Sequence, residues 1–136
     1  MVERFSRVDG DGRITIPPKL AKELYGKELK LFGGLVIGKD KTYEALIVTE
    51  KDKPVVDDKD WTYLFKVSMT DDCKLDKKRR INLSGNLGEY ARIRIGGKVA
   101  IVGEPGSALV ICEENRWKKY RNESRKELSY KALLTI

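Results

Sequence analysis

The chain has 136 residues, of which 40% are hydrophobic and 36% charged, as expected for one soluble domain or for two small halves that share a core. Lys and Arg number 28 against 21 Asp and Glu, giving a net charge of +7, which favours a polyanion such as nucleic acid as partner. Histidine is absent. The usual general base and the commonest metal ligand are therefore missing, which argues against an enzyme and against a bound metal or cofactor.

Apolar stretches are short throughout the sequence, and none approaches the roughly 20 residues needed to cross a bilayer. The two cysteines, Cys73 and Cys112, lie far apart without the close spacing of a zinc site. These features predict a cytoplasmic protein in a reducing compartment, with no membrane partner and no evident small-molecule substrate.

Two parts of the chain match each other. Residues 8–20 align with residues 75–87 at an offset of 67, and residues 38–48 align with residues 103–111 if the second loop is two residues shorter. The identical pairs of the first match are Asp9/Asp76, Arg13/Arg80, Ile14/Ile81 and Leu20/Leu87. Such self-similarity predicts two copies of one unit. We expect repeat 1 over 1–57 and repeat 2, with a C-terminal helix, over 58–136, interlocked as one domain.

The first copy is predicted as strand, tight turn, strand, short helix and hairpin. Residues 13–16 alternate polar and apolar side chains, as a half-buried strand does. A helix over 18–25 can begin at Pro18 and end before Gly26. The apolar runs 35–37 and 45–48 then predict a hairpin.

The second copy follows the same order after a polar connector over 50–60 and a strand over 61–70. Its elements are predicted as a strand over 80–83, a helix from the N-cap Ser84 to about Tyr90, and a hairpin of 99–102 with 108–111. The segment 113–134 has a composition typical of a helix. The predicted fold class is therefore mainly β with short helices (α+β).

The motif Asp-x-x-x-Arg occurs twice, as Asp9…Arg13 and Asp76…Arg80, and each copy precedes an apolar-x-apolar strand and a helix start. This arrangement resembles the MraZ family of the SpoVT-AbrB-like superfamily. Residues 107–120 are also similar to the closing strand and Trp-containing helix of that family, and the resemblance covers about residues 5–122.

The resemblance implies a double swapped-hairpin barrel formed by two tandem repeats, which assembles with copies of itself into rings. It further implies a sequence-specific, nucleoid-associated regulator that binds repeated boxes in double-stranded promoter DNA. Its expected target is a cell-division and cell-wall gene cluster, usually under repression.

The candidate DNA-binding residues are the cations of the two motif turns: Arg13, Lys77, Lys78, Arg79 and Arg80. Guanidinium groups can bond to guanine edges or clamp phosphates, whereas lysines mainly attract phosphates. Asp9 and Asp76 are expected to orient the arginines rather than to touch DNA. A simpler interpretation is that each Asp–Arg pair only fixes its turn to the fold. The duplication of the motif favours a role shared between folding and binding.

Two positions depart from the family pattern: Asp11, where a basic residue is frequent, and Arg79, where a glycine is usual. These departures support an alternative hypothesis, an AbrB-like protein-interaction module or antitoxin-like paralogue that has lost DNA recognition. A gel shift with the DNA upstream of its own gene would separate the two hypotheses.

Overall fold

A computed structural model of the chain describes residues 2–37, 41–51, 61–83, 85–105, 108–123 and 130–135. Within these ranges the chain forms nine strands and three short helices. In chain order the elements are β1 (Val2–Arg7), β2 (Arg13–Thr15), α1 (Pro18–Leu24), β3 (Leu29–Ile37), β4 (Thr42–Glu50), β5 (Trp61–Cys73), β6 (Arg80–Asn82), α2 (Gly85–Ala91), β7 (Lys98–Gly103), β8 (Leu109–Glu113), α3 (Glu114–Glu123) and β9 (Tyr130–Thr135). The predicted class, mainly β with short helices, is confirmed.

Strands from the two ends of the sequence interleave in one sheet. The described strand order is β1-β7-β8-β4-β3-β5-β9, and β2 pairs with β6 in a separate two-stranded ladder. Neighbours in the large sheet are antiparallel except β5 and β9, which are parallel. Because β7 and β8 lie between β1 and β4, the early and late parts of the chain share one set of backbone hydrogen bonds.

The large sheet is open, with β1 and β9 at its edges, rather than closed into the expected barrel. β5 bonds to β3 on one side and to β9 on the other, where Trp61 pairs with Tyr130. Among the described strands, the β9 partner covers residues 61–66 of β5, and no pairing joins β5 to β1.

The C-terminal segment differs from its prediction. A helix was expected over 113–134, and α3 confirms its first part, but residues 130–135 form β9. The helix prediction for 130–134 is wrong because parallel pairing with β5 supplies hydrogen bonds to the backbone of β9. This contact is distant in sequence, and local helix propensity does not include it.

Both faces of the central strands are buried. On β4, Leu46 and Val48 pack in a core with α1, α2 and the β2–β6 ladder, whereas Ala45 and Ile47 pack in a second core with Trp117 of α3. Successive side chains of a strand point to opposite faces. A strand covered on both faces therefore carries a continuous apolar run, which explains why these strands lack a polar alternation.

The predicted hairpins are confirmed and are longer than expected, with β3 and β4 of nine residues each. Helices α1 and α2 also match their predictions within a residue or two. The predicted boundary at residue 58 and the predicted N-cap Ser84 lie outside the described residues. Of the helices in the described part of the chain, none has the length and apolar character needed to cross a membrane.

Candidate nucleic-acid interface

The first motif turn is organised by the carboxylate of Asp9. Its Oδ1 accepts hydrogen bonds from the backbone N–H groups of Asp11 and Arg13, both at 2.9 Å. The Gly12 N–H also donates to the Asp9 carbonyl at 3.1 Å. Gly12 has φ +76°, and a Cβ there would meet only the Leu83 carbonyl at 3.9 Å. Glycine is therefore favoured here because the backbone is left-handed, and not because a side chain would lack space.

The second motif turn repeats this backbone 67 residues later. The Oδ1 of Asp76 accepts hydrogen bonds from the N–H groups of Lys78 at 2.8 Å and Arg80 at 2.9 Å. The Arg79 N–H donates to the Asp76 carbonyl at 2.9 Å, as Gly12 does to Asp9. Arg79 adopts φ 60°, the left-handed conformation that Gly12 has in the first turn. A non-glycine residue there costs roughly 1 kcal/mol.

The two turns meet through the short β2–β6 ladder. Ile14 pairs with Ile81 at its centre, and both side chains are buried. Because side chains alternate along a strand, the flanking residues lie on the opposite, outward side. We call this side the ladder face, and it is formed by Arg13, Thr15, Arg80 and Asn82.

Each turn is also bonded to the strand that follows the other turn. The Ile16 N–H donates to the Arg79 carbonyl at 2.9 Å, and the Leu83 N–H donates to the Gly12 carbonyl at 2.9 Å. The position of either turn therefore depends on both copies of the motif.

The two motif arginines lie close together on the ladder face. Arg80 Nε donates to Asp76 Oδ2 at 2.8 Å, and Asp9 Oδ2 lies 3.6 Å from both Arg80 NH1 and Arg13 Nε. The side chains of Arg13 and Arg80 are 30% and 20% exposed. Asp9 thus lies between two partly exposed guanidinium groups, and their remaining donors can face an external anion.

Arg13 has an additional carboxylate partner. Its NH2 donates to Asp11 Oδ2 at 2.5 Å, and the Asp11 side chain is 75% exposed. The Nε of Arg13 is buried and makes no hydrogen bond within the described residues. The guanidinium of Arg13 is therefore held mainly from the tip of its own turn.

Electrostatics keep both motif aspartates ionised. The hydrogen bond from the Arg13 N–H lowers the pKa of Asp9, with the Asp11 N–H and the charges of both arginines adding to it against the opposing effect of desolvation. Desolvation alone would raise the pKa of Asp76. The backbone and side-chain hydrogen bonds of Arg80 and the N–H of Lys78 together outweigh it and lower that pKa. Charged carboxylates accept stronger hydrogen bonds, so the turns are best formed above the aspartate pKa range.

The remaining predicted cations belong to the second turn. Lys77, Lys78 and Arg79 are all exposed, and they follow Asp76 directly, so their charges lie beside Arg80. All five predicted DNA-binding residues thus occupy the two linked turns. Such a surface, with oriented guanidinium groups next to exposed ammonium groups, can bind phosphates and present donors to base edges.

Sequence reasoning did not include Thr15 and Asn82 in the site, although both are exposed on the ladder face. The two-residue period around Ile14 and Ile81 was the signal that could have identified them. The hydrogen bond between Asp11 and Arg13 was also missed. The signal for this bond in the sequence was a carboxylate two residues before the arginine.

Interleaved β strands joined by a pair of Asp–Arg turns place the chain in the AbrB-like α+β class. Residues 67–134 match the family described as "MraZ protein, putative antitoxin-like". The chain is also similar to the "Transcriptional regulator MraZ" of Alkaliphilus oremlandii (strain OhILAs), with 30% identity over 128 residues that cover 90% of this chain and 85% of the relative. The chain belongs to the MraZ family, which includes transcriptional regulators.

Proposed function

We propose that the chain is a transcriptional regulator that binds double-stranded promoter DNA through the ladder face and the second motif turn. The observation that carries this proposal is the shared position of Arg13 and Arg80, whose guanidinium groups both lie 3.6 Å from Asp9 Oδ2 on an outward face. The net charge of +7 supports a polyanionic ligand. The two turns belong to two interlocking repeats, 1–57 and 58–136.

The residues of this surface have different roles in the proposal. Lys77, Lys78 and Arg79 bind phosphates and set the position of the protein on the duplex. Arg80, oriented by its bond to Asp76, is the better placed of the two arginines to reach a guanine edge. Asp9 and Asp76 act through the arginines and do not contact the DNA.

The target and the assembly are part of the same proposal. Membership in the MraZ family supports transcriptional regulation, and we propose repression of a cell-division and cell-wall gene cluster. Repeated promoter boxes would be bound by a ring of identical chains. Once one subunit is bound, contacts by its neighbours become effectively intramolecular, so weak single sites can give tight and selective binding.

The test is a fluorescence anisotropy titration with the duplex upstream of its own gene and with a random-sequence duplex. We expect the double variant Arg13→Ala/Arg80→Ala to lose on the order of 10- to 100-fold in affinity for the upstream duplex, because base contacts by arginine discriminate by about 1 to 3 kcal/mol each. The matched control is Lys22→Ala/Lys119→Ala, which removes two exposed cations elsewhere. Equal affinities of the two folded variants would exclude the arginines from the contact surface.

A second candidate function is an AbrB-like interaction module that recognises a protein, as in an antitoxin-like paralogue. The observation that favours it is the first motif turn, in which two carboxylates, Asp9 and Asp11, face one guanidinium. Such a turn repels phosphates and suits a basic protein surface. A gel shift with the upstream duplex distinguishes the candidates. The regulator retards the duplex and loses most of that binding when one box is deleted, whereas the interaction module retards neither duplex.

A further inference from the structure

The two motif turns place residues of opposite charge at the same position. Asp11 and Lys78 are 67 residues apart, and the N–H of each donates to the Oδ1 of the aspartate that opens its turn, at 2.9 and 2.8 Å. Both side chains are exposed. The backbone therefore presents a carboxylate at the tip of the first turn and an ammonium group at the tip of the second.

The carboxylate of Asp11 also occupies a donor that a phosphate would need. It accepts the hydrogen bond from Arg13 NH2, while Asp9 lies beside Nε of the same side chain. For this guanidinium to clamp a phosphate, the bond to Asp11 must break and a phosphate must approach an exposed carboxylate. Both requirements weaken binding, because like charges repel and the lost bond is charge-assisted.

We propose that Asp11 is a specificity-determining residue, which holds the Arg13 guanidinium out of phosphate contacts and so lowers the affinity for DNA of any sequence. The inference rests on the proposed DNA binding and states which of the two turns makes the phosphate contacts. The second turn carries the phosphate contacts. The first turn contributes little to them as long as Asp11 is ionised and bonded to Arg13.

Specificity follows from the kind of contact that is removed. Phosphate contacts are the same for every sequence, whereas base contacts depend on it. A regulator with fewer phosphate contacts binds random DNA less, so the ratio of its affinities for operator and random DNA rests more on base edges. Asp11 thus lowers the total affinity for DNA and raises the ratio of operator to random-DNA affinity.

The experiment compares the full chain with Asp11→Asn in anisotropy titrations over roughly 50 to 200 mM salt. We expect Asp11→Asn to bind a random-sequence duplex on the order of fivefold more tightly, as the loss of one exposed ion pair allows. Its slope of log affinity against log salt should steepen by about 0.9, the value for one added phosphate contact. The operator-to-random ratio, measured with the upstream duplex, should fall.

Two further variants make the test specific. Asp71→Asn removes one exposed carboxylate elsewhere, with the same change of net charge, and should leave affinity and slope unchanged. In an Arg13→Gln background, the gain from Asp11→Asn should disappear, because the released guanidinium is missing. A gain that persists undiminished in this background overturns the inference, as does an Asp11→Asn variant that behaves like Asp71→Asn.

These outcomes are separable from failure of the proposed function. If the parent chain binds the duplexes and Asp11→Asn binds them equally well, only the inference fails. If neither the parent chain nor Asp11→Asn binds any duplex, the proposed function fails and the inference fails with it.

Discussion

The first and second motif turns have the same backbone and different charge. In each, an aspartate accepts two backbone hydrogen bonds with its Oδ1, and the residue before the arginine adopts a left-handed φ. The first turn combines two carboxylates with one guanidinium, whereas the second combines one carboxylate with four cations. The comparison separates what folds the turn from what the turn presents to a ligand.

The first and last positions of the motif supply the side chains that the fold uses, and the position before the arginine supplies a left-handed φ. Asp9 and Asp76 supply the acceptors, and the arginines begin β2 and β6 and lie over the buried Ile14–Ile81 pair. The side chains between them are exposed, and the turn keeps the same backbone bond whether Asp11 or Lys78 occupies its middle position. Their side chains can therefore diverge without changing the turn, and one fold can carry two surfaces of different charge.

The largest expected effect comes from removing the cations that distinguish the second turn. Replacement of Lys77, Lys78 and Arg79 by alanine should lower the affinity for the upstream duplex on the order of 100-fold. The slope of log affinity against log salt should become less steep by about 2.7, because three phosphate contacts are lost. Anisotropy titrations at several salt concentrations measure both quantities.

A matched control for this triple variant replaces Lys22, Lys41 and Lys119, three exposed lysines outside the two motif turns. It changes the net charge by the same amount. If both triple variants lose the same affinity, general charge rather than the second turn governs binding, and the contrast between the turns has no functional meaning.

A smaller effect is expected from replacing the aspartate that opens the second turn. Asp76→Asn removes the charge that accepts three hydrogen bonds, from Lys78 and twice from Arg80. We expect the Tm at neutral pH to fall by roughly 5 °C, because charge-assisted bonds are weakened. Asp72→Asn is the control, since the side chain of Asp72 is 63% exposed and its ion pairs with Lys30 and Lys51 lie at the surface; it should change Tm by about 1 °C or less.

The same variant gives a pH test with a definite sign. The pKa of Asp76 is lowered from its ordinary value of 3.8 in the folded chain. Its stabilising effect is therefore complete above pH 3.8 and is lost as the pH falls through the lowered pKa. Thermal unfolding of the parent chain and Asp76→Asn should converge below pH 3.8. A difference in Tm that stays constant down to acidic pH would mean that the charge of Asp76 does not stabilise the turn.

The two motif turns could be predicted from the sequence because the hydrogen bonds that form them are local. The bonds of Asp76 to Lys78 and Arg80 span two and four residues. The alternation of polar and apolar side chains around Ile81 is visible within three residues. The internal match between residues 8–20 and 75–87 then indicated that the two turns are equivalent.

The errors arose where partners are distant in sequence. The pairing of Trp61 with Tyr130 that produces β9 joins segments whose own patterns do not identify each other. The contact of Asp9 with Arg80 depends on the β2–β6 ladder, so the sequence could propose two turns but not their proximity. Buried faces on both sides of β4 likewise removed the alternation from which its length could be read.

The smallest expected effects concern the third position between aspartate and arginine, where Gly12 corresponds to Arg79. Arg79→Gly should raise Tm by about 4 °C, because the left-handed φ of 60° no longer strains a side chain. The same variant should bind the upstream duplex about threefold more weakly and with a slope less steep by about 0.9, because one cation is lost. Opposite signs of the two effects would establish that Arg79 is retained for its charge at the expense of stability. If Arg79→Gly binds as tightly as the parent chain, the left-handed arginine contributes nothing to the phosphate contacts, and the charge contrast between the turns would then rest on Lys77 and Lys78 alone.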